Sequence, residues 1–358
     1  MANILLIGGS RFIGKHLLHK LAAIPDNKIL VLNRGNIPNA DYLPSGVDHI
    51  ALDRNDQDAM AQALQGMNFD LVFDICAGTA EHCEILLNSL ESAPTRHIHV
   101  STGSVYDIYG EDPPVYSLPV DEDFPIGRIH EDEHPYMNGK RGAEKVLMEA
   151  NKDAGYPVVM VRPTFVYGPD NYIYREAYFF DRISQDRPII LPNSGNGFFD
   201  MVYVDDLADL MILVSQLPAD QVVGRAFNGT KGDVITGNMY AKVVGNITGK
   251  TPDVLYVDPA EILAMGWPET DFFYPYIPEG GMFQDARRIE QELQFTSQLH
   301  YAEGLKQAYA WWSEHGKRQD DFDRENLLID YIRAKGTEDE DAAKQALQGY
   351  LQDAAQAS

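Results

Sequence analysis

Cysteine is scarce in this chain: its 358 residues include only Cys76 and Cys83. Disulfide-stabilised scaffolds carry more cysteines for their length, and a zinc ribbon needs two pairs of them. Both classes are therefore excluded. The composition indicates a protein of a reducing compartment, and we expect no bound metal.

Basic residues and long apolar runs are also under-represented. The 29 Lys and Arg face 54 Asp and Glu, which gives a formal charge of −25, and such a surface repels nucleic-acid phosphates. No segment reaches the roughly 18 apolar residues of a membrane span, and the N-terminal MANILLIGGS has no basic region before its short apolar run. We expect a cytoplasmic protein that binds neither nucleic acid nor membranes.

Short apolar segments recur through the first half of the chain. They are NILLI (3–7), KILVL (28–32), HIAL (49–52), LVFDI (71–75), HIHVS (97–101) and PVVMVR (157–162). Such segments are typical of buried parallel strands. Between several of them lie helical patterns, as in residues 11–23, where the apolar residues share one face. This alternation predicts an α/β fold with a doubly wound parallel sheet.

A glycine-rich loop follows the first predicted strand. It reads Gly8-Gly9-Ser10-Arg11-Phe12-Ile13-Gly14 and leads into the first helix. Glycines there allow a tight turn and a close approach to a pyrophosphate, whose charge the helix N-terminus stabilises. The loop predicts a dinucleotide-binding (Rossmann) domain.

The end of the second strand bears on the choice of dinucleotide. A site selective for NAD usually presents a carboxylate here to the ribose hydroxyls, whereas this chain has Asn33 followed by Arg34. Asn33 would not repel a 2′-phosphate, and Arg34 offers a guanidinium that can bind one. The pattern favours NADP over NAD.

The rhythm of the chain changes near residue 168, where loops rich in Pro, Gly, Asn and aromatic residues begin. We predict that residues 1–168 and about 200–232 form the dinucleotide-binding domain. A smaller interleaved α/β substrate domain is predicted over about 169–199 and 233–316. Residues 317–358 are predicted to be an acidic, partly helical C-terminal extension.

The stretch HEDEHPYMNGK (130–140) fits two patterns. His130, Glu131 and His134 match the HExxH of zinc proteases, which requires both imidazoles on one helix face. Pro135 disfavours helical dihedrals at His134, so the helix should begin after this motif. Tyr136 and Lys140 then lie four residues apart on one face of that helix. A nearby ammonium can lower the pKa of a phenol, which is about 10 when unperturbed.

Further motifs lie at ordered distances from this pair. Ser101-Thr102-Gly103-Ser104-Val105-Tyr106 follows the fifth strand, and Val161-Arg162-Pro163, Tyr167-Gly168-Pro169 and Val204-Asp205-Asp206 follow downstream. Together with the glycine loop, these segments resemble the extended short-chain dehydrogenases/reductases (SDRs) of the NAD-dependent epimerase/dehydratase family, over about residues 3–300. Arg11 replaces the middle glycine, as in the branch with a GG-x-R-F-x-G loop, which includes chloroplast stem-loop RNA-binding proteins.

The resemblance implies a set of site residues and a homodimer. Tyr136 is implied as acid/base, Thr102 as the group that positions the substrate oxygen, and Lys140 as the cation that lowers the tyrosine pKa and holds the ribose. Asp53 is either an adenine contact or a turn-forming residue. The implied cofactor contacts are Gly8, Gly9, Ser10, Arg11, Phe12, Ile13, Gly14, Asn33, Arg34, Asp53, Arg54, Ala77, Gly78, Lys140 and Pro163.

The substrate is less determined. Family members often hold a nucleotide diphosphate with Asn and Arg, where this chain has Phe165 and Phe198-Phe199. The substrate candidates are Ser104, Phe165, Ile173, Arg175 and Arg287. Three hypotheses remain open: an epimerase or oxidoreductase acting on a sugar or nucleotide sugar, an NADPH-dependent reductase of another small carbonyl compound, and a non-catalytic or RNA-binding relative.

Overall fold

The structure is a computed structural model that describes residues 2–107, 118–267 and 283–357. The strands within these residues are β1 (Asn3–Ile7), β2 (Lys28–Asn33), β3 (Asp48–Ala51), β4 (Leu71–Asp74), β5 (Arg96–Val100), β6 (Val158–Pro163), β7 (Phe165–Tyr167), β8 (Ile189–Pro192), β9 (Phe198–Tyr203), β10 (Arg225–Gly229), β11 (Val234–Thr236) and β12 (Val254–Val257).

The described helices begin with α1, which follows the glycine loop. The α-helices are α1 (Phe12–Ala23), α2 (Gln57–Leu64), α3 (Ala80–Ser89), α4 (Pro135–Ala154), α5 (Glu176–Ser184), α6 (Val204–Gln216), α7 (Ala219–Val222), α8 (Gly237–Thr248), α9 (Pro259–Ala264), α10 (Arg287–Glu292), α11 (Tyr301–His315), α12 (Asp323–Ala334) and α13 (Glu340–Ala357). In these residues no helix is long and apolar enough to cross a membrane.

Seven strands form the main sheet, in the order β10-β6-β5-β4-β1-β2-β3. The pairs within it are parallel. Strand order reverses between β1 and β4, and open α/β sheets bind their ligands beyond the carboxyl ends of the strands at such a point. The predicted α/β fold class is confirmed.

Alternate residues of β1 show why the sheet is covered on both faces. Ile4 and Leu6 belong to one apolar cluster with Leu17 of α1, whereas Leu5 and Ile7 belong to another with residues of α2 and α3. Because successive side chains of a strand point to opposite faces, a strand that is apolar throughout needs helices on both sides.

The chain divides into two compact units. The first comprises Met1–Val166, Asp200–Asp233 and Met282–Leu299, and the second comprises Tyr167–Phe199, Val234–Gly281 and His300–Ser358. Residues 282–299, which the sequence assigned to the substrate domain, therefore group with the first unit. Their buried residues Ile289 and Leu293 lie in the cluster that covers one face of the main sheet.

The C-terminal helices belong to the core of the second unit. Leu328 and Tyr331 of α12 and Leu347 of α13 are fully buried, in a cluster with Trp267. The acidic composition of residues 317–358 had suggested an extension. Apolar residues three or four apart place one face of each helix in the core, whereas acidic residues such as Asp330 and Asp353 are exposed.

Candidate active site

Helix α4 begins after the HExxH-like segment. Pro135 is its first residue and His134 its N-cap, whose Nδ1 accepts a hydrogen bond from the N–H of Tyr136 at 3.2 Å. His130, outside the helix, lies 3.1 Å from Asp132. The two histidines thus do not share a helix face, and the premise of the zinc-protease pattern fails.

Tyr136 and Lys140 occupy the first two turns of α4 but differ in environment. Tyr136 is 49% exposed, whereas Lys140 is 6% exposed. The Nζ of Lys140 donates to the carbonyl oxygens of Ala77 and Val100, both at 2.8 Å. Burial lowers the pKa of Lys140, and the nearby Asp74 carboxylate partly offsets this effect. A buried ammonium is therefore anchored at the carboxyl ends of β4 and β5.

Thr102 lies two residues beyond the Val100 carbonyl that holds Lys140. It precedes a short 3-10 turn (Gly103–Val105), and its hydroxyl accepts a hydrogen bond from the N–H of Ser104 at 3.2 Å. The same hydroxyl lies 3.4 Å from the Ser104 Oγ. Thr102 is buried and its hydroxyl caps the 3-10 turn. Its side chain is therefore held at the strand end where substrate-binding groups are expected.

A buried ion pair fixes α4 to the sheet. Arg162 on β6 donates to both carboxylate oxygens of Glu144, at 2.9 and 2.7 Å. Both side chains are buried, and bidentate pairs of this kind define geometry as well as charge. The pair therefore fixes the orientation of the helix that carries Tyr136 and Lys140.

The glycine loop has the backbone that a phosphate cradle requires. Gly8 and Gly9 have φ angles of 116° and 91°, in a region that other residues rarely adopt. A Cβ on Gly14 would lie 2.5 Å from the backbone nitrogen of Gly9, so only glycine permits α1 to approach the loop this closely. Phe12, with φ of 38°, holds a strained backbone at the start of α1. These features suit the pyrophosphate of a dinucleotide.

Asn33, at the end of β2, is held by a local hydrogen-bond network. Its Oδ1 accepts from the N–H of Gly35 at 2.8 Å, and its Nδ2 donates to the hydroxyl of Tyr42 at 2.9 Å. Arg34 beside it is exposed. The end of β2, where the sequence predicts contact with the dinucleotide, therefore carries an amide and a neighbouring guanidinium.

Asp53 and Arg54 follow β3 and were implied as cofactor contacts. Both have hydrogen-bond partners within the protein. Asp53 Oδ1 accepts hydrogen bonds from the backbone and side chain of Asn55. Arg54 is buried, and its guanidinium donates to both oxygens of Asp74, at 2.7 and 2.8 Å. Burial raises the pKa of Asp74, but the charge and hydrogen bonds of Arg54 oppose this effect, and the resulting pKa lies well below its usual range.

The substrate candidates are divided between the two units. Ser104, Phe165 and Arg287 belong to the first unit, whereas Ile173 and Arg175 belong to the second. Arg287 is exposed and paired with Asp285. Arg175 is buried and precedes α5, and the backbone N–H of Ile173 is capped by Asn171. Pro163, a cofactor candidate, ends β6 beside Gly229.

A buried polar cluster beneath this site was not anticipated. Asp74, His97 and His99 each offer one atom that could coordinate a metal ion, and these three atoms lie within 4.8 Å of one another. Burial lowers the pKa of His97 to about 4 and that of His99 well below its usual value, so both are neutral near pH 7. Both Asp74 oxygens are already bound by Arg54, and a metal ion in the cluster would have to compete with that cation. In the sequence, the two histidines at alternate positions of the buried strand RHIHV could have indicated this cluster.

Asp200 is a second buried carboxyl group that the sequence did not single out. It accepts hydrogen bonds from the Thr230 hydroxyl at 2.6 Å and from the N–H of Gln284 at 2.9 Å. Burial raises the pKa of Asp200 to about 7, against the lowering effect of these bonds. In the sequence, a single acidic residue within the largely apolar segment FFDMVY could have indicated this buried carboxyl group.

Comparisons with known proteins place the chain in a family. The NAD dependent epimerase/dehydratase family matches residues 4–228. The chloroplast stem-loop binding protein of 41 kDa b of Arabidopsis thaliana is 26% identical over 348 residues, 91% of this chain and 84% of that protein.

Solved structures show the same fold. The UDP-glucose 4-epimerase of Thermotoga maritima, solved with UDP-glucose, matches with a TM-score of 0.71 and 22% identity, over 87% of this chain and 99% of that one. The dTDP-glucose 4,6-dehydratase of Bacillus anthracis, solved with NAD, matches with a TM-score of 0.70 and 17% identity, over 88% and 97%. With more than half of its residues matched by the family, this chain belongs to the NAD-dependent epimerase/dehydratase family and is an enzyme of the extended SDR type.

Proposed function

We propose that this protein is an NAD(P)-dependent enzyme that acts at a secondary alcohol or ketone of a sugar or nucleotide sugar, by epimerisation or a related oxidation-reduction. The observation that carries the proposal is the placement of Lys140. Its buried ammonium is anchored to Ala77 and Val100 at the carboxyl ends of two central strands, on the same helix as Tyr136.

The roles of the three side chains follow from their chemistry. A lysine ammonium has three N–H donors, and two of those of Lys140 are used by carbonyl groups. The third is left for a ribose hydroxyl or the phenol, and the positive charge favours the ionised form of Tyr136. Tyr136 exchanges a proton with the substrate oxygen at its Oη, while the Thr102 hydroxyl positions that oxygen.

The residues present fit a nicotinamide dinucleotide, which supplies the hydride acceptor and donor when bound. Gly8, Gly9 and Gly14 would hold its pyrophosphate at the N-terminus of α1, because their backbone leaves that approach open. Lys140 would bind the ribose next to the nicotinamide. Asn33 and Arg34 would face the adenosine ribose.

We further propose a preference for NADP. Replacing Arg34 by leucine should raise the Kd for NADPH by about 10- to 100-fold, because charge-assisted hydrogen bonds contribute about 1.5–3 kcal/mol each, and should leave the Kd for NADH nearly unchanged. Replacing Asn33 by aspartate should reverse the preference through charge repulsion. Titration of NADPH and NADH fluorescence measures both. Equal weakening of both cofactors by Arg34→Leu would contradict this assignment.

The identity of the sugar substrate is the less determined part of the proposal. The Thermotoga maritima relative was solved with UDP-glucose, which favours a nucleotide sugar here. Phe165 and Phe198-Phe199 favour the second candidate, an NADPH-dependent reductase of a non-nucleotide carbonyl compound, because phenyl rings cannot pair with a diphosphate.

The first test is to denature the freshly purified protein and identify any released dinucleotide by mass spectrometry. A stoichiometric dinucleotide supports an internal oxidation-reduction cycle such as epimerisation. An empty protein that binds NADPH reversibly supports the reductase. A protein that binds neither dinucleotide but retards labelled RNA in a salt-dependent manner contradicts both, and agrees with the likeness to the stem-loop binding protein.

A further inference from the structure

One of the two carbonyl groups that hold Lys140 lies outside the sheet. Val100 ends β5, whose position is fixed by pairing with β4 and β6. Ala77 lies in the loop after β4, where no strand pairing constrains it. The position of the Ala77 carbonyl, and with it that of the ammonium, depends on what orders this loop.

Asp74 orders the loop from within. Its Oδ1 accepts hydrogen bonds from the N–H groups of Cys76, at 3.3 Å, and Ala77, at 3.0 Å. Arg54 orients the carboxylate by binding both of its oxygens, and it also donates to the carbonyl of His82 at 3.0 Å. Both members of the ion pair are buried, so water does not compete for these bonds.

The same loop packs against the helix that carries the lysine. A Cβ on Gly139 would lie 2.1 Å from the Gly78 carbonyl oxygen, so the two backbones are in direct contact. Lys140 follows Gly139 in sequence, and its Nζ binds the residue before Gly78. A shift of the loop would therefore move the Gly78 backbone against which α4 packs, and also the Ala77 carbonyl oxygen that accepts from Lys140.

We propose that the Arg54–Asp74 ion pair is a positioning element for Lys140, which acts by fixing the loop that carries the Ala77 carbonyl. The catalytic consequence rests on the proposed function, whereas the positioning itself does not. Arg54, which the family resemblance implied as a cofactor contact, acts through Asp74 and Ala77.

The charges around Lys140 give this arrangement a pH signature. The titratable groups that face the ammonium are Asp74 at the end of β4, Cys76 in the loop after it, Cys83 on α3, His99 on β5, and Arg54. Burial raises the pKa of both thiols, so Asp74 is the negative charge among these groups near pH 7. The Asp74 charge raises the pKa of Lys140 more than the Arg54 charge lowers it. Removing both charges should therefore shift the loss of the Lys140 proton, and the alkaline limb of the kcat profile, to lower pH.

The test uses the double variant Arg54→Leu/Asp74→Leu. Either single variant leaves a buried charge unpaired and can fail to fold, whereas replacing both partners by apolar residues usually preserves stability. We expect a thermal midpoint somewhat below that of the wild type, because the N–H groups of Cys76 and Ala77 lose the Asp74 acceptor. We also expect a kcat lower by about 10- to 100-fold through misplacement of Lys140, and an alkaline limb of the kcat profile that lies at lower pH. The exposed pair Arg333–Asp253, replaced in the same way, is the matched control and should change none of these.

Hydrogen exchange provides a readout that does not require turnover. The backbone amides of residues 75–80 should exchange faster in the double variant than in the wild type and the control. A stable double variant with wild-type kcat, pH profile and exchange would overturn the proposal, because the pair would then be purely structural. If the wild type shows no dinucleotide-dependent turnover, the proposed function fails, and the exchange comparison still decides the positioning role.

Discussion

The Tyr136→Phe variant is expected to lose about 10²- to 10⁴-fold in kcat, the usual contribution of a positioned general acid or base, and to bind the dinucleotide as the wild type does. In the proposed mechanism, the phenol hydroxyl is the group that exchanges a proton with the substrate oxygen. The ring itself, which the variant keeps, is half exposed at the start of α4. Single-turnover kinetics and a cofactor titration measure the two quantities separately.

Tyr256 supplies the control for this experiment. It lies on β12 with an exposure of 46%, against 49% for Tyr136, and the same substitution there should leave kcat unchanged. If Tyr136→Phe turned over substrate at the wild-type rate, the proposed acid/base role would be wrong, whatever the affinity for the cofactor.

Replacing Gly139 by alanine should destabilise the protein, although alanine is the better helix former. In a helix interior, alanine is favoured over glycine by about 1 kcal/mol. At Gly139 the new Cβ would meet the Gly78 carbonyl oxygen at 2.1 Å, and overpacking of this kind typically costs about 1–3 kcal/mol. We expect a lower free energy of unfolding and a lower kcat, because Lys140 moves with the helix. Chemical denaturation and kinetics at saturating substrate measure these effects.

The same substitution at Gly349 on α13 measures the effect of helix propensity alone. A Cβ there would meet nothing within 4 Å, so Gly349→Ala should raise stability by up to about 1 kcal/mol and leave kcat unchanged. Opposite signs for the two substitutions would show that the loop contact, and not helix formation, requires glycine at position 139. Stabilisation by both would refute the close packing of α4 against Gly78.

Local rules sufficed for the choice between the two readings of residues 130–140. The restriction that Pro135 imposes on His134 acts within one peptide unit, and the helix indeed begins at Pro135. The tight turn predicted at Gly8 and Gly9 and the alternation of strands and helices are similarly local, and both agree with the structure.

Long-range pairings were inaccessible to the same reasoning. Arg54, in the loop after β3, meets Asp74, twenty residues away at the end of β4, although β1 and β2 lie between these strands in the sheet. A basic residue beside a predicted cofactor contact looks the same in sequence whether it faces the cofactor or the core. The packing of the C-terminal helices was also hard to predict. The composition of residues 317–358 is acidic on average, although a few apolar residues such as Leu328 and Leu347 form a buried face.

The sequence by itself determined the fold class, the glycine loop and the helix that places Tyr136 and Lys140 on one face, because each depends on backbone preferences or on spacing within one element. Only the tertiary structure decided what holds Lys140, which partner Arg54 takes and where the chain end packs. Those outcomes depend on which distant groups are buried together, and burial makes each unpaired charge or donor costly enough to select its partner.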